Sequence, residues 1–248
     1  MISIISLIYK STLYADSIYN SINEFTPLIA AGQAEFYFIA NDATEKLINH
    51  LNNKKYRYIV NNNPRKTKEE LFNMGYAYPE YLHYVYRGWN AAIESAQDIV
   101  VLINSDNIVS PNWLENLLAH LNEKTIVCSQ LIERRHPKYG VFPGAYEMNL
   151  GKNPKEFNKR LFLCFCATHT QDIIKPGGAY MPCIFYKKCI EQSGYYPEGN
   201  LRGATFNEVA TYGDAELFRK LKEIGVDHIT ALNSLSYHFK EGEMEDND

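Results

Sequence analysis

The feature that most constrains the fold is an alternation of short, nearly continuous apolar segments with amphipathic ones of helical length. Residues 2–8 (Ile-Ser-Ile-Ile-Ser-Leu-Ile) and 35–40 (Glu-Phe-Tyr-Phe-Ile-Ala) are β-rich and hardly alternate with polar residues, and a third strand reads at Tyr56 to Val60. Strands of this kind are buried on both faces, as in parallel sheets covered by helices on either side. Between the first two, Ser11 and Thr12 offer a helix cap and Ile18, Ile22 and Phe25 recur at helical spacing. Between the second and third, Thr44 caps a short helix carrying Leu47, Ile48 and Leu51. The pattern predicts a doubly wound α/β sheet, in which ligands bind beyond the carboxyl ends of the strands.

The pattern continues, then loosens. A helix runs through Arg87, Trp89, Asn90 and Ala92 to about Ala96, and Asp98 to Ile103 is the clearest central strand, running into Asn104-Ser105-Asp106-Asn107. Ser110-Pro111 reads as a helix start, with Trp113, Leu114, Leu117, Leu118 and Leu121 as its core face, and Thr125 to Leu131 as a strand. From Glu133 to Lys159 the periodicity fades among Pro137, Gly140, Pro143, Gly144 and Pro154; a loop of that length is functional or mobile. Cys164-Phe165-Cys166 reads as part of a strand over Leu161 to Ala167, and order returns over Gly178 to Tyr186 and in a short helix ending near Gly194. Tyr195 to Tyr212 is again irregular. The last helix opens at Gly213-Asp214 and stops at Gly225, two strands follow at Val226 to Thr230 and Ser234 to Phe239, and residues 241–248 form a frayed acidic tail.

Composition excludes several classes. With 25 Lys and Arg against 29 Asp and Glu there is no positive field to hold a nucleic-acid backbone. No stretch approaches about 18 apolar residues, and residues 1–9 are too short for a secretory signal core. The five cysteines, Cys128, Cys164, Cys166, Cys183 and Cys189, lack paired zinc-hook spacing and read as buried free thiols in a cytoplasmic chain.

The strongest chemical signal is Asp106 at the end of the central strand. One or two carboxylates plus substrate phosphates suffice for Mg²⁺, and Mn²⁺ shares the preference for oxygen. The alternative is an Asp that only caps the following turn. Taken in order, Ile4 to Tyr9, Ile39-Ala-Asn-Asp42, Asn90 to Ala96, Ile99 to Asp106 with Pro111-x-Trp-Leu114, Gly213 to Gly225 and His238 resemble a family 2 glycosyltransferase of the GT-A fold over residues 2–240. The resemblance implies one domain, with a nucleotide-binding half over 1–110 and an acceptor-binding half over 111–240. Its sheet would be mostly parallel and Rossmann-like, with a smaller acceptor-side sheet abutting it.

It also implies roles. The backbone at Leu7 and the ring of Tyr9 would lie against the nucleotide base, Asp42 would accept from the imide N–H of uracil or thymine, and Asn90 would lie near base and ribose. UDP or dTDP is then the favoured nucleotide. The metal motif departs from Asp-x-Asp: Asn104-Ser105-Asp106 keeps only the last acid, with His238 as second ligand to Mn²⁺ or Mg²⁺. The catalytic base would be Asp214, with Gly213 where the family carries Glu, and Glu216 as a fallback. As a helix-opening residue Asp214 would have its pKa lowered by the helix dipole. Gly178, Tyr195, Tyr196 and Tyr212 would lie on the acceptor side.

The implied activity is inverting, hexosyltransferase-type transfer from a nucleoside-diphosphate sugar to a hydroxyl of a glycan, lipid-linked or other acceptor. Lys10, Arg87, Arg202 and Lys240 are candidates for neutralising the diphosphate. Arg134-Arg135-His136 is either a solvated face or a contact for an anionic acceptor or a membrane surface. Two alternatives stand beside this reading. A nucleotidyltransferase would want a Gly-rich loop after the first strand, and residues 9–14 contain no Gly; a non-catalytic binding module would account for the two lost acids. Tyrosine is abundant, at 19 residues, and many fall in segments without periodicity: Tyr76, Tyr78, Tyr81, Tyr84, Tyr86, Tyr139, Tyr146, Tyr195, Tyr196 and Tyr212. Rings with a polar tip suit sugar faces, so several are expected to line the acceptor side.

Overall fold

β1 (Ile2–Ile8) is covered on both sides, because neighbouring residues serve opposite layers: Ile4 and Ile8 join one core, Ile5 the other. A computed structural model describes residues 1–73, 81–138, 140–197, 206–240 and 243. Tyr76, Tyr78, Tyr139 and Arg202 lie outside these, as do the side chains of Tyr81 and Tyr212.

The first half follows the sequence closely. Ser11 caps α1 (Thr12–Phe25) by accepting from the Tyr14 N–H, and α1 turns Tyr14, Ala15, Ile18 and Ile22 inward. One turn, α2 (Pro27–Ala30), leads to β2 (Ala34–Asn41). Thr44 caps α3 (Glu45–Lys54), after which come β3 (Tyr58–Asn61), α4 (Lys68–Asn73), α5 (Tyr81–Ser95) and β4 (Ile99–Asn104). The second half continues through β5 (Asn107–Val109), α6 (Trp113–Leu118), β6 (Thr125–Glu133), β7 (Tyr146–Glu147) and α7 (Lys159–Ala167). β8 (Ile174–Pro176), β9 (Cys183–Tyr186), α8 (Lys187–Ser193), α9 (Phe206–Glu223) and β10 (Asp227–His238) complete it.

Among the described residues the strands form one sheet in the order β3-β2-β1-β4-β9-β6-β10-β5, with β7 on β6 and β8 on β10. β3-β2-β1-β4 are parallel, as expected for a doubly wound domain. The strands expected in an abutting acceptor-side sheet are continuous with it through β9, antiparallel to both β4 and β6. One face carries a core of residues such as Phe38, Leu51, Trp113, Phe162 and Tyr237; the other buries Tyr37, Trp89, Phe185, Leu217 and Leu221.

Four local expectations are corrected. Residues 159–167 form a helix, not a strand: Asn158 caps it by accepting from the Leu161 N–H, and Phe162 is its buried side chain. Cys164 is therefore exposed and Cys166 half-buried, while Cys128, Cys183 and Cys189 are buried thiols as expected. Ser110 does not open α6; its hydroxyl accepts from the Leu235 N–H and ties the turn to β10. The two C-terminal strands are one, β10, whose register shifts between Ala231 and Leu235. Finally, α9 begins at Phe206, so Gly213 and Asp214 lie inside the helix and not at its start. Among the described residues no helix is long and apolar enough to cross a membrane.

Candidate functional site

The register of the sheet assembles the site at the carboxyl ends of the strands. β1 places Leu7 beside Ile39 on one side and Asn104 on the other, so the segments after β1, β2 and β4 converge. β4 turns at Ser105-Asp106 directly into β5, which pairs antiparallel with β10, His238 opposite Asn107. On its other edge β10 is parallel to β6, which sets His238 beside Glu133. Asp106, His238 and Glu133 are far apart in sequence, and three strand registers bring them together.

His238 lies between the two carboxylates. Its Nε2 is 3.1 Å from Asp106 Oδ2, and its Nδ1 donates to Glu133 Oε1 at 2.8 Å. Glu133 Oε2 also accepts from Lys240 Nζ at 2.8 Å and from the Phe142 N–H at 2.7 Å. Burial opposes charge on His238, but Asp106 and Glu133 outweigh it and raise its pKa to about 10. Burial likewise pushes Glu133 up, and its contacts to His238, Lys240 and Phe142 more than reverse that, to about 2. Asp106 is only 5% exposed, and its backbone carbonyl accepts from the Phe239 N–H.

These donors suit a divalent cation. Asp106 and the imidazole Nε2 converge, and Glu133 fixes the imidazole through Nδ1, as a carboxylate does where it orients a metal-bound histidine. Oxygen with imidazole nitrogen favours Mn²⁺ over Mg²⁺. Among the described residues no three His, Cys, Asp or Glu side chains are grouped to hold a metal, which leaves Asp106 and His238 as the candidate pair.

Glu133 and His238 open onto a cavity of about 280 Å³ lined also by Tyr86, Trp89, Asn104, Tyr180, Met181 and Asp214. Gly213 explains how Asp214 reaches it. A Cβ at Gly213 would sit 2.1 Å from the Tyr86 ring, so glycine lets α9 close on α5 and carries Asp214 to the cavity. Asp214 is half-buried, and burial alone raises its pKa to about 7. The expected lowering by a helix N-terminus is overturned, because Asp214 sits two turns inside α9. Glu216 is committed to Arg219, which donates to both its oxygens at 2.7 Å.

The other expected residues divide. Asp42 follows β2 in a left-handed conformation, with Oδ1 accepting from the Asn63 N–H at 2.8 Å and Oδ2 from Asn63 Nδ2 at 3.0 Å. Tyr9 is 44% exposed at the end of β1. Asn90, expected near base and ribose, is buried and binds the backbone of Tyr196 in both directions at 3.0 Å. Tyr196, expected on the acceptor side, is 2% exposed and stacks on Tyr86; Tyr195 is half-buried. Gly178 (φ +123°) passes so close to Thr230 that a Cβ would lie 2.0 Å from its hydroxyl. It lines a second cavity of about 200 Å³, which shares Leu131, Phe142 and Ala179 with the first. Of the candidate cations, Lys240 binds Glu133, Arg87 donates to Asn63, and Lys10 lies over the Tyr9 ring. Arg135 pairs with Glu147, whereas the charge of Arg134 reaches inward to Tyr14 and Tyr237.

Two acids escaped the sequence reading. Glu133 follows the buried run Cys128 to Ile132 just as Asp106 follows β4, a strand-end signal that was there to find. Glu243 belongs to the tail expected to be frayed, yet it is 8% exposed. It accepts from the N–H groups of Tyr9, Lys10 and Ser11, and Ser105 Oγ lies 3.3 Å from it. Burial raises its pKa to about 7 despite these donors. Nothing in the sequence sets it apart from the acids around it.

No protein-family model and no curated protein matches the sequence. Solved structures do. GalNAc-T7 with UDP, GalNAc and Mn²⁺ aligns at TM-score 0.58 and 13% identity, over 96% of this chain and 43% of its own. S. aureus TarS residues 1–349 with UDP-GlcNAc aligns at 0.56 and 14% identity, over 98% of this chain and 61% of that one. The mannosyltransferase PcManGT from Pyrobaculum calidifontis, with GDP-Man and Mn²⁺, aligns at 0.55 and 13%, over 97% and 58%. The chain thus spans roughly half the length of these structures and has their fold, the α/β fold of nucleotide-sugar glycosyltransferases.

Proposed function

We propose that this chain is a glycosyltransferase of the family 2 type, which moves a sugar from a nucleoside diphosphate to an acceptor hydroxyl with inversion at C1. The observation that carries the reading is one cavity faced by His238 and Glu133 on one wall and by Asp214 on the other. The bound UDP, UDP-GlcNAc and GDP-Man of the similar structures support a nucleoside-diphosphate donor.

Each residue then has a task. Asp42 keeps a second lone pair on each carboxylate oxygen and accepts the imide N–H of uracil or thymine, which favours UDP or dTDP; the Tyr9 ring lies beside the base. Asn104 and Ser105 border the nucleotide. Asp106 and His238 would hold Mn²⁺ or Mg²⁺, which when bound stabilises charge on the departing diphosphate. Glu133 and Lys240 keep the imidazole oriented for that. Asp214 accepts the acceptor's hydroxyl proton as the oxygen attacks C1 and the C1–O bond to the diphosphate breaks. A carboxylate with a pKa of about 7 is well matched to that transfer near neutral pH. Tyr86, Trp89, Tyr180 and Met181 line the cavity around it. The acceptor approaches along the second cavity, past Gly178.

The test is calorimetric titration with UDP, dTDP and GDP, each with Mn²⁺ and with chelator. UDP or dTDP binding that weakens at least about tenfold on chelation, as removal of a metal site's support does, is the expected result. Absence of metal-dependent binding for all three nucleotides overturns the reading.

A further inference from the structure

The amides that hold Glu243 form a cradle for an anion. The N–H groups of Tyr9, Lys10 and Ser11 lie 3.0, 2.8 and 2.9 Å from its carboxylate, with Ser105 Oγ at 3.3 Å. They precede α1, a helix of 14 residues, so the positive end of its dipole points at the same place. A second observation marks the spot as built for a ligand. The hydroxyl of Tyr14 is buried, the residue being 1% exposed, and it finds no hydrogen-bond partner among the described residues. It lies close enough to Asp106 and Glu243 to feel both charges. Ser105 is the neighbour of Asp106, so the cradle abuts the carboxylate assigned to the metal.

We propose that Glu243 is a self-ligand: its carboxylate occupies an anion cradle that a phosphate group of an incoming nucleotide must take over, so the chain restrains its own donor binding. Consecutive backbone amides with a hydroxyl beside them recognise phosphate as readily as carboxylate, and the free Tyr14 hydroxyl supplies a donor that Glu243 leaves unused. Among the described residues Glu243 is held through its carboxylate, and Tyr9 OH adds only a long bond of 3.4 Å to its carbonyl. A site closed nine-tenths of the time binds its ligand about tenfold more weakly than the open one. The inference rests on the nucleotide-binding reading above, and pyrophosphate separates the two.

The experiment compares the wild-type chain with Glu243→Gln and Glu243→Ala, titrated with Mn²⁺-UDP and with metal-free pyrophosphate, alongside amide hydrogen exchange of residues 9–11. Both variants should bind both ligands about tenfold more tightly. Amides 9–11 should exchange faster in the free variants and recover protection with pyrophosphate. In the wild-type chain, pyrophosphate should speed exchange in the peptide containing Glu243 while amides 9–11 stay protected, a result that needs no variant to fold. Pyrophosphate behaving as described while UDP fails to bind sinks the nucleotide reading and leaves the cradle standing. UDP and pyrophosphate binding equally well to all three chains, with unchanged exchange, overturns the self-ligand and leaves the nucleotide reading standing.

Discussion

The two walls of the cavity hold carboxylates in opposite states. On the β6–β10 wall, Glu133 is packed against His238, Lys240 and the Phe142 N–H, and its pKa falls to about 2. On the α5–α9 wall, Asp214 sits among Tyr86, Trp89, Tyr180 and Met181, and burial alone lifts it to about 7. Both groups lose water; what differs is whether the protein replaces it with positive charge. The lesson is a division of labour: one wall keeps a permanent negative charge beside His238 and Lys240, the other a carboxylate that can gain and lose a proton near neutral pH.

The sharpest way to break this contrast is Asp214→Asn. It should lower transfer by about 10²–10⁴-fold, the usual worth of a positioned base, while Mn²⁺-UDP affinity by calorimetry stays within about twofold. Equal turnover in this variant removes Asp214 as the base. On the other wall, Glu133→Gln leaves His238 without its charged support and should weaken Mn²⁺-dependent UDP binding about 10–100-fold. Here kcat at saturating metal should recover most of its value, the split that separates orientation of a ligand from proton transfer.

The walls also differ in pH dependence. As the proposed base, Asp214 would act only when ionised, so kcat/KM should rise with pH through its pKa of about 7 and level off above it. For stability the signs oppose. Asp214 holds its proton more tightly when folded, so its contribution is complete below its ordinary 3.8 and is lost as pH rises past about 7. Glu133 contributes fully above its ordinary 4.5 and loses that as pH falls toward about 2. Unfolding followed from pH 3 to 8 should therefore show a decline toward the alkaline end that Asp214→Asn reduces; Glu243, also raised to about 7, keeps part of it.

The smallest expected effect tests spacing. Gly213→Ala puts a methyl 2.1 Å from the Tyr86 ring and must push α9 off α5. Overpacking of this kind costs about 1–3 kcal/mol, or roughly 2–4 °C in Tm per kcal/mol in a chain of this size. Tyr86→Leu in the same background should restore most of the loss; if Gly213→Ala alone melts like the wild type, the close approach is not what selects glycine.

How much of this was legible depended on the range of the interactions. Ser11 and Thr44 as caps, β1, β2 and β4 as doubly buried strands, and Asp106 at a strand end follow from neighbouring residues, and all hold. Cys164-Phe165-Cys166 alternates like a strand, whereas the Asn158 cap and burial of Phe162 favour a helix over Lys159–Ala167. Gly213-Asp214 looked like a helix start because glycine is a poor helix former, and only the ring of Tyr86 in another helix gives it a reason to sit mid-helix.

The sequence by itself determined the alternation of layers, and with it the edge of the sheet where a ligand must bind, since strand burial and capping are local properties. Tertiary structure alone decided the electrostatics. Whether a carboxylate is pulled down to about 2 or lifted to about 7 depends on who replaces its water, and for Glu133 the charged neighbours arrive from more than a hundred residues away. It likewise decided that one acid among many near the chain's end, Glu243, is held by the amides that follow β1.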